Sequence, residues 1–213
     1  MRLKHVKGAD EVIQKGVYYI DNPKEYRGKW KNVFGNNNPI YIEIGMGKGD
    51  FIIENACLYP KINFIGIEKY DSVIVRAVQK SNELELNNLK LIRMDAGFIE
   101  EVFDKEIDRF YLNFSDPWPK ERHAKRRLTS PIFLEKYARI FQKDARIIQK
   151  TDNNDLFEYS LESLKTFGYE ILEETRDLYS EGVTNNIPTE YEKKFVSLGV
   201  KINRLDAVKK DAS

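Results

Sequence analysis

The sequence predicts an α/β fold built on a doubly wound, mostly parallel sheet. Apolar runs rich in β-branched and aromatic residues alternate with stretches in which apolar residues recur every three or four positions. A glycine-rich turn follows the first run, as is common where a strand leads into a helix. This alternation indicates strand–helix–strand units, with helices on both faces of the sheet.

The individual elements follow from the same alternation. Strands are predicted over residues 40–44, 63–67, 89–94, 110–114 and 145–149, and helices over residues 50–58, 72–86, 131–141 and 155–167. Two later runs, residues 168–178 and 194–203, have no helix-like stretch between them. We therefore expect these two runs to form an antiparallel pair of strands that closes the sheet.

Residues 1–39 lie outside the alternating pattern. They are expected to form a basic N-terminal extension with one helix over residues 23–34. Residues 40–213 would then be the main domain, and a length of 213 residues suits one domain with a small extension.

Composition excludes several classes of protein. A chain with 41% hydrophobic and 32% charged residues can bury a core, which distinguishes it from disordered and fibrous proteins. Cys57 is the single cysteine, so no internal disulfide can form, and two histidines add too few ligands for a usual structural zinc site. No apolar run reaches 18 residues, and no secretory signal is evident. We expect a cytoplasmic monomer or homodimer that binds neither a membrane nor a metal.

The net charge of +1 hides a strong asymmetry along the chain. Residues 1–31 carry a net charge of +4, and so do residues 118–127, whereas residues 155–192 carry −8. A single charged run is usually a solvated face. Two basic runs in a nearly neutral protein favour a polyanionic partner such as a nucleic acid.

The glycine-rich turn has the pattern G-x-G-x-G, formed by Gly45, Gly47 and Gly49. Glycine allows the backbone to turn sharply and allows a ligand to lie against it. The pattern departs from the dinucleotide fingerprint G-x-G-x-x-G, because Asp50 stands at the sixth position. A carboxylate in the first helical turn would also repel a phosphate group.

Acidic residues occur within or just after five successive predicted strands. They are Glu43, Glu68, Asp95, Asp116 and Asp152. Because the carboxyl ends of parallel strands share one edge of a sheet, where ligands bind, we expect these carboxylates to line one crevice. Each acid taken alone could instead cap a helix or satisfy nearby backbone amides.

A ligand held by several carboxylates should be cationic and rich in hydroxyl groups. S-adenosylmethionine fits this description, because it combines a ribose diol with an ammonium and a sulfonium group. NAD and ATP carry phosphates and would favour basic residues in the loop. Lys48 could serve in that way, so the pattern favours S-adenosylmethionine without excluding the others.

Residues 113–120, NFSDPWPK, form the most specific segment. Two prolines restrict the backbone around Asp116 and Trp118, directly after a predicted strand. The basic run that follows could contact phosphates. A carboxylate beside an aromatic ring, with basic residues next to them in the chain, suits the binding of a flipped nucleobase. The alternative is a surface turn stiffened by its prolines.

From about residue 40 onward, the sequence resembles the class I S-adenosylmethionine-dependent methyltransferases. More narrowly, it is similar to the bacterial tRNA (guanine-N7-)-methyltransferases of the TrmB type. The matching segments are EIGMGKGDF at 43–51, GIEKY at 66–70, RMDA at 93–96, NFSDPWPKERHAKRRL at 113–128, KTDN at 150–153 and TEYEKKF at 189–195. The resemblance implies a Rossmann-like, seven-stranded sheet with an antiparallel last strand, and a usual target at the variable-loop guanine 46 of tRNA.

The resemblance also implies roles for individual residues. Cofactor contacts are assigned to Glu43, Glu68, Asp95 and Asp116, beside the loop glycines. Contacts to tRNA or guanine are assigned to Lys120, Asp152, Thr189, Glu190, Tyr191 and Glu192. Arg122, His123, Lys125, Arg126 and Arg127 would meet RNA.

Guanine N7 carries a free lone pair, so no base has to remove a proton before the methyl group is transferred. Catalysis would then depend on positioning and on managing charge. Asp116 is the first candidate for the carboxylate that holds the base, with Asp152 and Glu192 next.

Three alternatives remain at this point. An exocyclic-amine RNA methyltransferase would carry a D/N-P-P-Y/F/W turn, which residues 116–119 match only in part. A nicotinamide-dependent oxidoreductase is disfavoured by Asp50 and by the glycine spacing. A non-catalytic RNA-binding module would explain the basic runs but not the acids at the strand ends.

Overall fold

The computed structural model describes residues 6–183 and 186–210. Seven strands form one sheet in the order β3-β2-β1-β4-β5-β7-β6. The strands are β1 (Ile40–Ile44), β2 (Asn63–Glu68), β3 (Leu89–Arg93), β4 (Ile107–Asn113), β5 (Phe141–Thr151), β6 (Glu170–Thr175) and β7 (Asn203–Lys209). The α-helices are α1 (Ala9–Gln14), α2 (Trp30–Phe34), α3 (Asp50–Leu58), α4 (Asp71–Ser81), α5 (Pro131–Ile140), α6 (Asn154–Thr166) and α7 (Glu190–Val196). The predicted fold class is confirmed.

The chain divides into two compact units, residues 1–107 and 108–213. In the first unit, β1 pairs with β2 and β2 pairs with β3, both in parallel. Every residue of β2 is buried, as expected for a strand covered on both faces. The register places Glu43 opposite Gly66 and Glu68 opposite Arg93, so the carboxyl ends of these strands lie side by side.

Residues 9–34 pack within the first unit. The Trp30 side chain is fully buried, and its indole nitrogen donates a hydrogen bond to the Val102 carbonyl at 3.0 Å. The helix predicted over residues 23–34 is wrong as a single element: a 3₁₀ helix (Pro23–Tyr26) is separated from α2, and Gly28 between them has a φ of 73°. The boundary predicted at residue 39 stays a prediction, and residues 1–5 lie outside the described residues.

In the second unit, β7 runs antiparallel to both β5 and β6. The antiparallel closing pair is therefore confirmed, but its second member was misplaced. Residues 190–196 form α7, and β7 begins only at Asn203. The apolar residues of the predicted strand over 194–203 are instead shared between this helix and the loop that follows it.

Among the described residues, no helix has the length and apolar character needed to cross a membrane. Within the same part of the chain, no three His, Cys, Asp or Glu side chains cluster in a way that could hold a metal ion.

Candidate functional site

The glycine loop joins β1 to α3 in the first unit, and its glycines have two different roles. Gly45 and Gly47 have φ values of 76° and 60°, and a Cβ added at either would meet no heavy atom within 4 Å. The backbone at these two positions therefore faces open space. A Cβ on Gly49 would lie 2.7 Å from the Cβ of Ala77, so Gly49 is required for α3 to pack against α4.

Glu68, the last residue of β2, contacts this loop through its carboxylate. Its Oε2 accepts a hydrogen bond from the Gly47 amide at 3.1 Å. Its Oε1 accepts from the amides of Lys69 and Tyr70 at 2.8 and 3.1 Å. Three backbone donors fix the carboxylate beside the open part of the loop.

Asp95 lies two residues beyond β3, next to Glu68 through Lys69. Its Oδ2 is 2.7 Å from the Lys69 ammonium, and its Oδ1 accepts from the Gly97 amide at 2.8 Å. The hydrogen bond from Lys69 lowers the pKa of the Asp95 carboxyl, with a smaller contribution from the Gly97 amide. Asp95 thus caps the 3₁₀ helix Ala96–Glu101, which is the alternative role that the sequence left open for each acid. Its lowered pKa also keeps the carboxylate ionised at neutral pH.

Two other acids of the first unit are placed differently. Glu43 is 1% exposed within β1, one residue before the strand ends. Asp50, whose charge argued against a phosphate ligand, pairs with Lys80 at 2.7 Å. The site in the first unit therefore consists of the Glu68 carboxylate beside two open glycines. The Asp50 charge is balanced by Lys80 of α4.

In the second unit, Asp116 is exposed on an unusual turn after β4. Phe114 and Trp118 on either side of it have φ values of 50° and 43°, and they are the only non-glycine residues with positive φ in the described chain. Each such conformation costs roughly 1–3 kcal/mol and persists only where the surroundings impose it. Strain of this kind commonly marks a functional segment.

Arg127 provides much of that restraint. Its Nε donates to the Pro117 carbonyl at 3.0 Å, and a terminal nitrogen donates to the Trp118 carbonyl at 3.1 Å. Its guanidinium also lies 4.2 Å from the ring centroid of Tyr159. Arg127 therefore holds the Asp116 turn from inside the protein.

The rest of the basic run faces outward on a 3₁₀ helix, Glu121–Arg126. Arg122, Lys125 and Arg126 are exposed, as is Lys120 just before them. The Arg126 guanidinium stacks over the Trp118 ring at 4.8 Å, and the half-buried His123 meets the same ring edge-on at 5.7 Å.

Asp152 follows β5 directly and meets Tyr191. The Tyr191 hydroxyl donates to Asp152 Oδ2 at 3.0 Å, and its ring stacks on Phe195 at 4.1 Å and contacts Phe114 at 4.9 Å. Partial burial, together with the hydrogen bond to Asp152, raises the pKa of Tyr191 to about 12. The Tyr191 hydroxyl therefore stays protonated at neutral pH and donates a hydrogen bond, and 41% of the residue is exposed.

Thr189 and Glu192 have a structural function that the sequence interpretation did not predict. They form a capping box at the start of α7, in which the Thr189 side chain accepts from the Glu192 amide at 3.0 Å. The Glu192 carboxylate accepts from the Thr189 amide and is fully buried against Lys150. The pattern T-x-x-E was a signal for this cap, and Lys150 within an apolar strand was a signal for a buried acidic partner.

Comparisons with known proteins identify the family. The model of a protein family described as "Putative methyltransferase" matches residues 37–205. A tRNA (guanine-N(7)-)-methyltransferase of Lachnoclostridium phytofermentans is 52% identical to this chain, over 97% of this chain and 98% of its own length. The protein of the same name from Bacillus subtilis is 49% identical, over the same shares of the two chains. This chain belongs to the tRNA (guanine-N7-)-methyltransferase family.

A solved structure named as an antibiotic-related methyltransferase shares the fold of this family member. It has a TM-score of 0.64 and 18% sequence identity, and the match covers 92% of this chain and 98% of that one. Membership in the tRNA (guanine-N7-)-methyltransferase family disfavours both enzymatic alternatives, the oxidoreductase and the exocyclic-amine methyltransferase. It also disfavours a non-catalytic RNA-binding module.

Proposed function

We propose that this protein transfers a methyl group from S-adenosylmethionine to N7 of a guanine in tRNA, with guanine 46 of the variable loop as the target. The observation that carries the proposal is the Glu68 carboxylate, held by three backbone amides against a glycine loop that is open at two positions. The names of relatives near 50% identity support the same reaction. A tRNA substrate also supports a cytoplasmic location for the protein.

The residues of the first unit suit a cationic nucleoside. Hydrogen-bond donors hold both the Glu68 and the Asp95 carboxylates at the strand ends, and a carboxylate in the position of Glu68 suits a ribose hydroxyl. In the second unit, Ser115 Oγ is buried with no hydrogen-bond partner among the described residues, so this atom can serve a bound ligand. We assign the cofactor to Glu43, Glu68 and Asp95 with the glycine loop, and to Asp116.

When bound, S-adenosylmethionine supplies a methyl group on a sulfonium, which becomes a neutral thioether as the N7 lone pair takes the methyl. No residue has to act as a general base, because N7 carries no proton. The protein must hold the guanine and oppose the positive charge that develops on its ring. Asp116 can accept hydrogen bonds from N1–H and N2–H, and its rigid turn fixes the direction of approach.

The exposed basic side chains of the 3₁₀ helix would bind tRNA phosphates. Arg122, Lys125 and Arg126 project to solvent, and Lys120 precedes them. Trp118 beneath Arg126 adds a flat ring that can stack against a base.

The proposed reaction is tested by incubating the protein with methyl-labelled S-adenosylmethionine and unmodified tRNA. Digestion to nucleosides should place the label in N7-methylguanosine. A tRNA in which guanine 46 is replaced by adenine should receive no label. Label on an exocyclic amine, or no transfer at all, would contradict the proposal.

The Asp116→Asn variant should keep its fold and lose at least tenfold in turnover. The reason is the loss of a charge-assisted hydrogen bond worth about 1.5–3 kcal/mol, where about 1.4 kcal/mol is a factor of ten in rate. Single-turnover methylation with saturating tRNA measures this. Asp155→Asn, an exposed aspartate in the first turn of α6, is the matched control and should turn over normally. Near wild-type turnover of Asp116→Asn would remove Asp116 from the reaction.

The two neighbouring arginines should respond differently to salt. Arg126→Ala should weaken tRNA binding and flatten the plot of log affinity against log salt by roughly one phosphate contact. Arg127→Lys keeps the charge but cannot bind two carbonyl groups in the same way, so the slope should stay the same while turnover falls. Filter binding from low to moderate salt measures both slopes. An unchanged slope for Arg126→Ala would exclude Arg126 from the interface.

A further inference from the structure

Lys150 carries a buried positive charge near the end of β5. Only 3% of its side chain is exposed. Its ammonium donates to Glu192 Oε2 at 2.5 Å, to the Ile187 carbonyl at 2.9 Å and to Asn186 Oδ1 at 3.0 Å. A lysine has three N–H donors, so all three are used within the protein.

The Glu192 carboxylate also has all of its hydrogen bonds within the protein. Its side chain is completely buried, and its Oε2 accepts from the Thr189 amide as well as from Lys150. Its Oε1 accepts from the Tyr179 hydroxyl at 2.8 Å and from the Asn186 amide group at 2.6 Å. A carboxylate accepts about four hydrogen bonds, so this one has no capacity left for RNA.

The ion pair lies where three segments meet. The Lys150 carbonyl accepts from the Phe114 amide at 2.8 Å, which fixes the end of β4 just before the Asp116 turn. Asp152 follows Lys150 by two residues, and Tyr191 directly precedes Glu192. Tyr191 in turn contacts the Phe114 ring and donates to Asp152. The Lys150 backbone therefore holds Phe114, while its buried side chain holds Glu192, whose neighbour Tyr191 contacts both Phe114 and Asp152.

We propose that Lys150 is a positioning residue for base recognition, which acts through Glu192 to hold Tyr191 and Asp152 as a fixed guanine-binding face. The exposed Tyr191 ring provides a surface on which a base stacks, and the Asp152 carboxylate accepts from the N–H groups of guanine. Glu192 thus serves recognition from inside the protein and does not touch the RNA. This inference rests on the proposed function.

The test compares Lys150→Met with a matched control in the same strand. Arg146 in β5 also forms a two-bond ion pair, with Asp206 of β7, at 2.9 and 2.7 Å. None of those contacts reaches residues 186–192. Lys150→Met should lower kcat/KM for tRNA at least tenfold while KM for S-adenosylmethionine stays within twofold. Arg146→Met should leave both constants within twofold of wild type.

A double variant separates positioning from stability. Lys150→Met leaves the Glu192 charge buried without its cation, which lowers the melting temperature. Adding Glu192→Gln removes that charge, so Lys150→Met/Glu192→Gln should melt at a higher temperature than the single variant while kcat/KM for tRNA stays low. Activity that returns together with stability, or a Lys150→Met enzyme within twofold of wild type, would overturn the proposal.

Hydrogen exchange gives a readout that does not need activity. In Lys150→Met, the amides of residues 186–192 should exchange faster, while those of residues 40–95 remain protected. Unchanged exchange at residues 186–192 would overturn the positioning role. If the wild-type protein transferred no methyl group to guanine N7, the proposed function would fail, and this exchange result would still decide the role of Lys150.

Discussion

Parallel pairing of β1, β2 and β3 is the constraint on which the site in residues 1–107 depends. It brings the loop after β1 beside the last residue of β2, and the residues after β3 beside those that follow β2. Glu68 then has three backbone amides within reach, and Lys69 can pair with Asp95. A shift of register would separate Glu68 from the Gly47 amide and Lys69 from Asp95, because these two contacts join residues at adjacent strand ends.

Rigidity in the second unit is achieved by a different means. Two residues in strained conformations flank Asp116, and Arg127 holds the carbonyls between them. A buried ion pair of Lys150 and Glu192 then fixes the start of α7, which carries Tyr191. Both devices use a charged side chain that hydrogen-bonds within the protein: Arg127 is half-buried, and the Lys150–Glu192 pair is buried. For a reaction that needs no general base, this rigidity is what the protein can contribute.

Local patterns in the sequence were enough to predict most of the sheet. The bounds of β1 and α3 were predicted without error, because strong apolar periodicity and the glycine turn agree there. The strand predicted over residues 194–203 was wrong, because the T-x-x-E signal at residues 189–192 starts α7, which runs to Val196. The helix over residues 23–34 was wrong because Gly28 interrupts it.

Contacts between distant residues could not be predicted in the same way. Lys150 and Glu192 are 42 residues apart, and neither local sequence identifies the other as its partner. Arg127 looked like its neighbours in a basic run, yet its side chain reaches back to Pro117 and Trp118. Charge pattern indicates that a run can bind phosphates, whereas burial decides which members of it are available.

The central claim is that anionic side chains at the strand ends hold a cationic methyl donor. Isothermal titration of the wild-type protein and of Glu68→Gln, each with S-adenosylmethionine and with NAD, tests this most directly. We predict that S-adenosylmethionine binds the wild type and that NAD does not. The Glu68→Gln variant should stay folded and bind S-adenosylmethionine at least tenfold more weakly. Tighter binding of NAD, or equal affinity of S-adenosylmethionine for both proteins, would contradict it.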